Sequence, residues 1–130
     1  MEMQNQIKEY VAQYEKEVRK LADQLRNECM PQPTEELFSE FETNGNRIRY
    51  EAVYFGRRKF LSVLGLASVI WREKEDIQKL EEVIREICAE ECWALPAHVK
   101  RKENPNWRGV IDLFASETGQ TLAHLSLIHI

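Results

Sequence analysis

From Ile7 onward the chain places an apolar residue in alternating steps of four and three: Ile7, Val11, Tyr14, Val18, Leu21 and Leu25. Only an α-helix carries side chains at that spacing onto one face, here with Lys, Glu and Arg on the others. The stripe predicts a long packing helix at the N-terminus. The same spacing suits a coiled-coil partner helix, but it covers under four heptads and lacks clean flanking charge pairs. "MPQP", residues 30–33, ends the helix, because two prolines remove backbone donors and restrict the residues before them.

Helical spacing continues along most of the chain. Thr34 is placed to cap a short acidic segment, "TEELFSEFE", and "TNGN" (43–46) signals a turn. A second long helix is predicted from about Arg47 to Trp71, with Ala52, Phe55, Phe60, Leu64, Ala67 and Trp71 near a helical period. It is apolar on most sides and so should be buried on most sides. Gly56 and Gly65 weaken it, each by about 1 kcal/mol against Ala. A third helix is expected from Asp76 to about Glu91, with Leu80, Val83, Ile84, Ile87 and Cys88 inward. After "KRKENPNWRG" a last helix begins near Val110, with Ile111, Phe114, Thr118 and Leu122 on one face. Five Gly and four Pro are too few for a turn-rich β fold, and no β-alternation is present. The expected class is all-α, built of helical hairpins.

Composition excludes several roles. A net charge of -4 gives no bulk electrostatic case for nucleic acid. The longest apolar run, "VLGLASVIW" (63–71), falls well short of the roughly 20 residues that cross a bilayer, so no membrane partner is expected. "MEMQNQIKEY" lacks the basic-then-apolar order of a signal peptide, and Cys29, Cys88 and Cys92 make an odd count. Together these predict reduced thiols and a cytoplasmic location.

The final residues, "LSLIHI" (125–130), are also the translation of a DNA string in a transposase-based sequencing adapter. On that reading they form a non-native tail on a truncated gene. The alternative is a native helix end, since "LAHLSLI" continues the pattern of Leu122.

Candidate chemistry centres on "EECWALPAHVKR" (90–101). Cys88 and Cys92 are four apart, and His98 follows six residues later. Structural zinc takes four ligands, the second pair is missing, and no metal is expected. Neither thiol sits at a helix N-terminus, where its pKa would fall, so a nucleophilic cysteine is not indicated. No cofactor is called for. Lys100, Arg101, Lys102 and Arg108 are interleaved with Trp107 and lie near His98. Cations beside aromatic faces suit anionic sugars, although a solvated loop explains the same run. Asp112 can cap the last helix, and Glu117, five residues on, lies on a different side, which argues against paired glycosidase carboxylates.

"ICAEECWALPAHVKR" (87–101), followed after a loop by "IDLFASETGQTLAHL" (111–125), resembles the N-terminal region of bacterial heparinase II/III-like proteins. The matching residues are Trp93, Leu95, Pro96, Ala97 and His98, then Ile111 to Ala115, Glu117 and Thr118. "YFGRRKFL" (54–61) looks like the family's preceding helix, and the resemblance covers roughly residues 47 to 124. It implies an α/α toroid followed by a β-sandwich, in a polysaccharide lyase that cleaves uronic-acid chains by β-elimination. In such enzymes an Asn-type donor neutralises the uronate carboxylate, a His or Tyr removes the C5 proton, and a Tyr protonates the leaving oxygen. Those residues belong to later parts of the family's fold, so no catalytic residue is carried onto this chain, and Tyr50, Tyr54 and His98 are not assigned that role. What the resemblance implies here is a groove wall for an acidic polysaccharide or oligosaccharide, with Trp93, His98, Arg101 and Trp107 as substrate-binding residues. The implied organisation is an N-terminal helix and Pro-containing linker (1–33), an incomplete toroid (34–124) and the tail (125–130). Such a piece should be inactive by itself, with an open apolar edge prone to self-association. The competing expectations are a small helical interaction module that binds through the stripe of the first helix, and a carbohydrate-binding relative without catalysis.

Overall fold

The computed structural model describes residues 1–128. Six α-helices follow in order: α1 (Glu2–Arg26), α2 (Glu35–Asn44), α3 (Ile48–Trp71), α4 (Lys74–Cys88), α5 (Pro96–Val99) and α6 (Leu113–Leu127). A single 3-10 turn, Trp107–Gly109, precedes α6, and the described residues contain no strand. The all-α class therefore holds, and none of these helices is long and apolar enough to cross a membrane. Of the tail, His129 and Ile130 lie outside the described residues.

Local signals set the helix ends. Thr34 Oγ1 accepts the Leu37 N–H at 3.2 Å and caps α2. Gly45 closes α2 at φ +77°, a left-handed conformation that glycine adopts without strain. Pro96 opens α5, because a first-turn N–H is not needed there. Asp112 caps α6, its Oδ1 accepting the Ala115 N–H at 2.7 Å. The last helix thus begins at Leu113, and Ile111 is an exposed residue before it rather than part of its buried face.

Helices α3 and α4 form an antiparallel hairpin, and the C-terminal half of α1 packs across both. Ala22, Leu25, Phe60, Leu61, Leu64, Ala67, Leu80, Val83 and Ile87 make the main core between them. A second cluster, Phe38, Tyr50, Tyr54, Cys92, Ala94, Leu95, Val99 and Trp107, joins α2, α5 and the start of α3. One polar clamp holds the α1 end. Arg26 Nε donates to Asp76 Oδ1 at 2.8 Å, and Asp76 is fully buried. This hydrogen bond is the main reason the Arg26 guanidinium titrates above its ordinary range.

Several inward assignments are corrected. Only Val18, Ala22 and Leu25 of α1 are buried, whereas Ile7, Val11 and Tyr14 are exposed. The reason is reach: α3 and α4 run beside the second half of α1 and leave the first half without a neighbour. Phe55 and Ala52 also face outward, because a helix that is apolar on nearly every side can bury only the sides that meet another element. Cys88 is exposed at the last residue of α4.

Leu125 packs at the α3–α6 contact, where a Cβ built on Gly65 would stand 3.0 Å from its Cδ2. The end of a leucine near a helix terminus can yield a few tenths of an ångström. Gly65→Ala should therefore keep most of the helix-propensity gain, up to about 1 kcal/mol. Urea denaturation should show a midpoint equal to or above that of the parent. A clear loss would mean that α6 cannot give.

Candidate functional site

The three stretches singled out in the sequence meet around the start of α6. Tyr54 on α3 donates its hydroxyl to the Trp93 carbonyl oxygen at 2.6 Å and lies 3.4 Å from Thr118 Oγ1. Thr118 in turn donates to the Phe114 carbonyl and accepts from Arg58 Nε at 3.1 Å. Arg58 stacks over the Tyr54 ring at 3.9 Å and, with Arg57, grips Glu90. Burial pushes the Tyr54 hydroxyl above the usual tyrosine range. Burial likewise carries Tyr50 up to about 12. Both phenols stay protonated at neutral pH, and Tyr54 serves as a hydrogen-bond donor.

Asp112 is the hub. Its Oδ2 accepts both the Leu95 N–H at 3.0 Å and His98 Nδ1 at 2.7 Å, while Oδ1 caps α6. Burial pushes its carboxyl upward, but the bonds from His98, Leu95 and Ala115 outweigh that and hold it below the ordinary aspartate range. The His98 ring lies parallel to Phe114 at 6.2 Å, and its side chain is 37% exposed. Phe114 meets the exposed Phe55 edge-on at 5.2 Å. Imidazole and two phenyl rings thus cluster beside the start of α6.

A shallow cleft runs along the neighbouring face of α6, lined by Glu90, Trp93, Arg108, Ile111, Ser116 and Gly119. Trp93 is half-buried, and its indole N–H is anchored to the Ile87 carbonyl at 2.9 Å. It packs against the main core and also borders the cleft.

The other two sequence-derived residues have different surroundings. Arg101 is tied to Glu35 at 2.7 Å, to Glu42 at 3.2 Å and to Ser39 at 2.9 Å, and it lies over Phe38 and Trp107. The Glu42 bond leads the causes that raise its pKa. Trp107 is a buried member of the second core cluster, with Arg108 across its ring at 4.4 Å. Arg101 and Trp107 brace α2 against the loop before α6: the Arg101 guanidinium is paired with α2 side chains, and the Trp107 ring lies against Phe38, Arg101 and Arg108. Lys100 and Lys102 are exposed.

The thiols and His98 do not converge. Helix α4 ends at Cys88, so Cys92 does not share its face. The Cys92 Sγ is buried 3.6 Å from the Trp107 carbonyl oxygen, and burial raises its pKa. Among the described residues no group of three or more His, Cys, Asp or Glu side chains is arranged to hold a metal ion.

Tyr54, Arg58, Glu90 and Phe114 complete the site and were not picked out as functional residues from the sequence. The signal available was the Arg57–Arg58 pair inside the most apolar helix, since buried charges there need partners. Comparison of the chain with protein-family models, curated proteins and solved structures finds no match.

Proposed function

We propose that the chain is the N-terminal part of a heparinase II/III-like protein, contributing helical hairpins to an α/α toroid and one wall of its polysaccharide groove. The observation that supports this reading is the convergence just described. Residues 54–61, 93–98 and 111–118, which carry the resemblance, are joined by the Tyr54–Trp93, Leu95–Asp112, His98–Asp112 and Arg58–Thr118 hydrogen bonds. The three stretches thus pack as one unit, as a single groove wall requires. The ligand face is then Trp93 where it borders the cleft and the His98–Phe114–Phe55 cluster, where a pyranose ring can pack against an aromatic ring and His98 can bond a hydroxyl or carboxylate. Arg101 and Trp107 support that wall from behind. β-Elimination by the whole protein depends on an acid and a base from outside residues 1–128.

The test is a nuclear magnetic resonance titration of the chain with uronic-acid oligosaccharides. The Trp93 indole and the His98 and Phe114 rings should shift together and saturably, with no unsaturated uronate product formed. Phe114→Ala should weaken binding about tenfold, the loss of one stacked aromatic contact. Shifts that appear equally with a neutral glucan, or none at these residues, would sink the groove-wall reading.

A further inference from the structure

The first half of α1 stands alone. Every residue from Met1 to Glu17 is exposed, and Met3, Ile7, Tyr10, Val11 and Tyr14 put an apolar stripe into solvent at 50% exposure or more. An isolated helix of this length is marginal in water, so the arm needs a partner surface. We propose that this surface is the same arm of a second copy of the chain, paired antiparallel about a twofold axis near Glu9. The inference is independent of the carbohydrate reading.

Three features select this occupant. First, the body of the molecule covers the same stripe from Val18 onward, on the side a partner helix would take. Parallel pairing would drive the two bodies into each other. Antiparallel pairing has room for the exposed residues 1–17 of each copy, whose midpoint is residue 9. Second, Ile7 and Val11 are symmetric about that midpoint, so Ile7 of one copy meets Val11 of the other twice. Tyr10 then faces Tyr10 close to the axis, and Tyr14 covers the polar Gln4 layer at each end. Third, covering five large side chains on each of two copies removes on the order of 1,000 Å², at the small end of specific interfaces. The register also has a cost. It brings Lys8 near Lys8 of the other copy, and like charges at the axis keep the dimer weak and reversible.

Sedimentation equilibrium on the whole chain, under reducing conditions because Cys29 and Cys88 are exposed, tests the proposal. A reversible monomer–dimer equilibrium is expected. Val11→Glu should raise the dissociation constant by about a hundredfold, because it buries a charge in the seam, while the thermal melt of the body stays unchanged. Lys8→Ala should tighten the dimer several-fold. Leu66→Glu, on the exposed apolar edge beside α6, should leave it intact. A monomer at every concentration overturns the proposal. So does association that survives Val11→Glu or is abolished by Leu66→Glu, which would place the interface on the α3–α6 edge. A Lys8→Ala chain that dimerises no more tightly than the parent overturns the register.

Discussion

Arg57→Met should lower the unfolding free energy by about 2–4 kcal/mol, because it removes a charge-assisted bond to Glu90 and strands the Pro31 carbonyl while Arg58 still pairs Glu90. The Arg57 side chain is 2% exposed and lies in the middle of α3. Its Nε donates to Glu90 at 2.7 Å and its Nη1 to the Pro31 carbonyl at 3.0 Å, with Gln32 and Glu86 slightly farther away. One guanidinium therefore fastens the proline linker and the end of α4 to the central helix. Methionine keeps much of the volume but none of the donors. It leaves the Pro31 carbonyl without this bond and Glu90 with Arg58 alone. Arg58 would then carry the whole carboxylate charge, so its own bond to Thr118 should loosen and the site beside α6 with it. Urea denaturation followed by helical circular dichroism gives the number. A double-mutant cycle with Glu90→Gln should return a coupling of about 1–3 kcal/mol, as neighbours in one network do. A loss below about 1 kcal/mol would mean that the cluster is hydrated in solution and that burial does not set its strength.

That cluster also marks where the sequence stopped being readable. Spacing placed α1, α3 and α4 correctly because an apolar stripe is a property of one helix. Which part of a stripe is covered is a property of its neighbours, and Val11 differs from Val18 only in what lies beside it. Phe55 was misplaced for the same reason. On α3 apolar residues point in most directions, so period alone cannot choose the outward face. The capping role of Asp112 was legible, since a carboxylate ahead of "LFASET" meets orphan backbone donors in the first turn. Its bond to His98, fourteen residues away across a loop, was not. Cys88 and Cys92 misled in the opposite sense. Their spacing is that of a helix, but the helix stops at Cys88, where the next residues turn towards Trp93. Arg101 was read by its charge and its aromatic neighbours, and both are present. Spacing could not reveal that Glu35, Ser39 and Glu42 from α2 already fill its donors.

Asp112→Ala should cost about 2–4 kcal/mol, and it tests the hub of the site directly. Loss of a helix N-cap accounts for about 1 kcal/mol. The Leu95 N–H, on a fully buried residue, loses its acceptor, and a stranded buried donor costs about 1–3 kcal/mol more. The same carboxylate predicts an acid dependence, and the sign follows from the direction of its shift. The folded-state pKa of Asp112 lies below the unfolded aspartate value of about 3.9. Its stabilisation is therefore present in full above that value and disappears as pH falls through the folded one. Wild-type chain should lose this component in acid, and Asp112→Ala, already without it, should not. Asp112→Asn separates the two roles. The amide oxygen can still accept the Ala115 N–H, but an amide group facing the Leu95 N–H sets donor against donor. Asn should thus retain most of α6 and still release the segment from Leu95 to His98. Amide hydrogen exchange at Leu95 and Ala115 reads the two bonds independently. Faster exchange at Leu95 with Ala115 unchanged is the expected result in Asp112→Asn. Equal protection at both would show that the α5 segment is held by its packing against α2, and that the bond from Asp112 only orients His98.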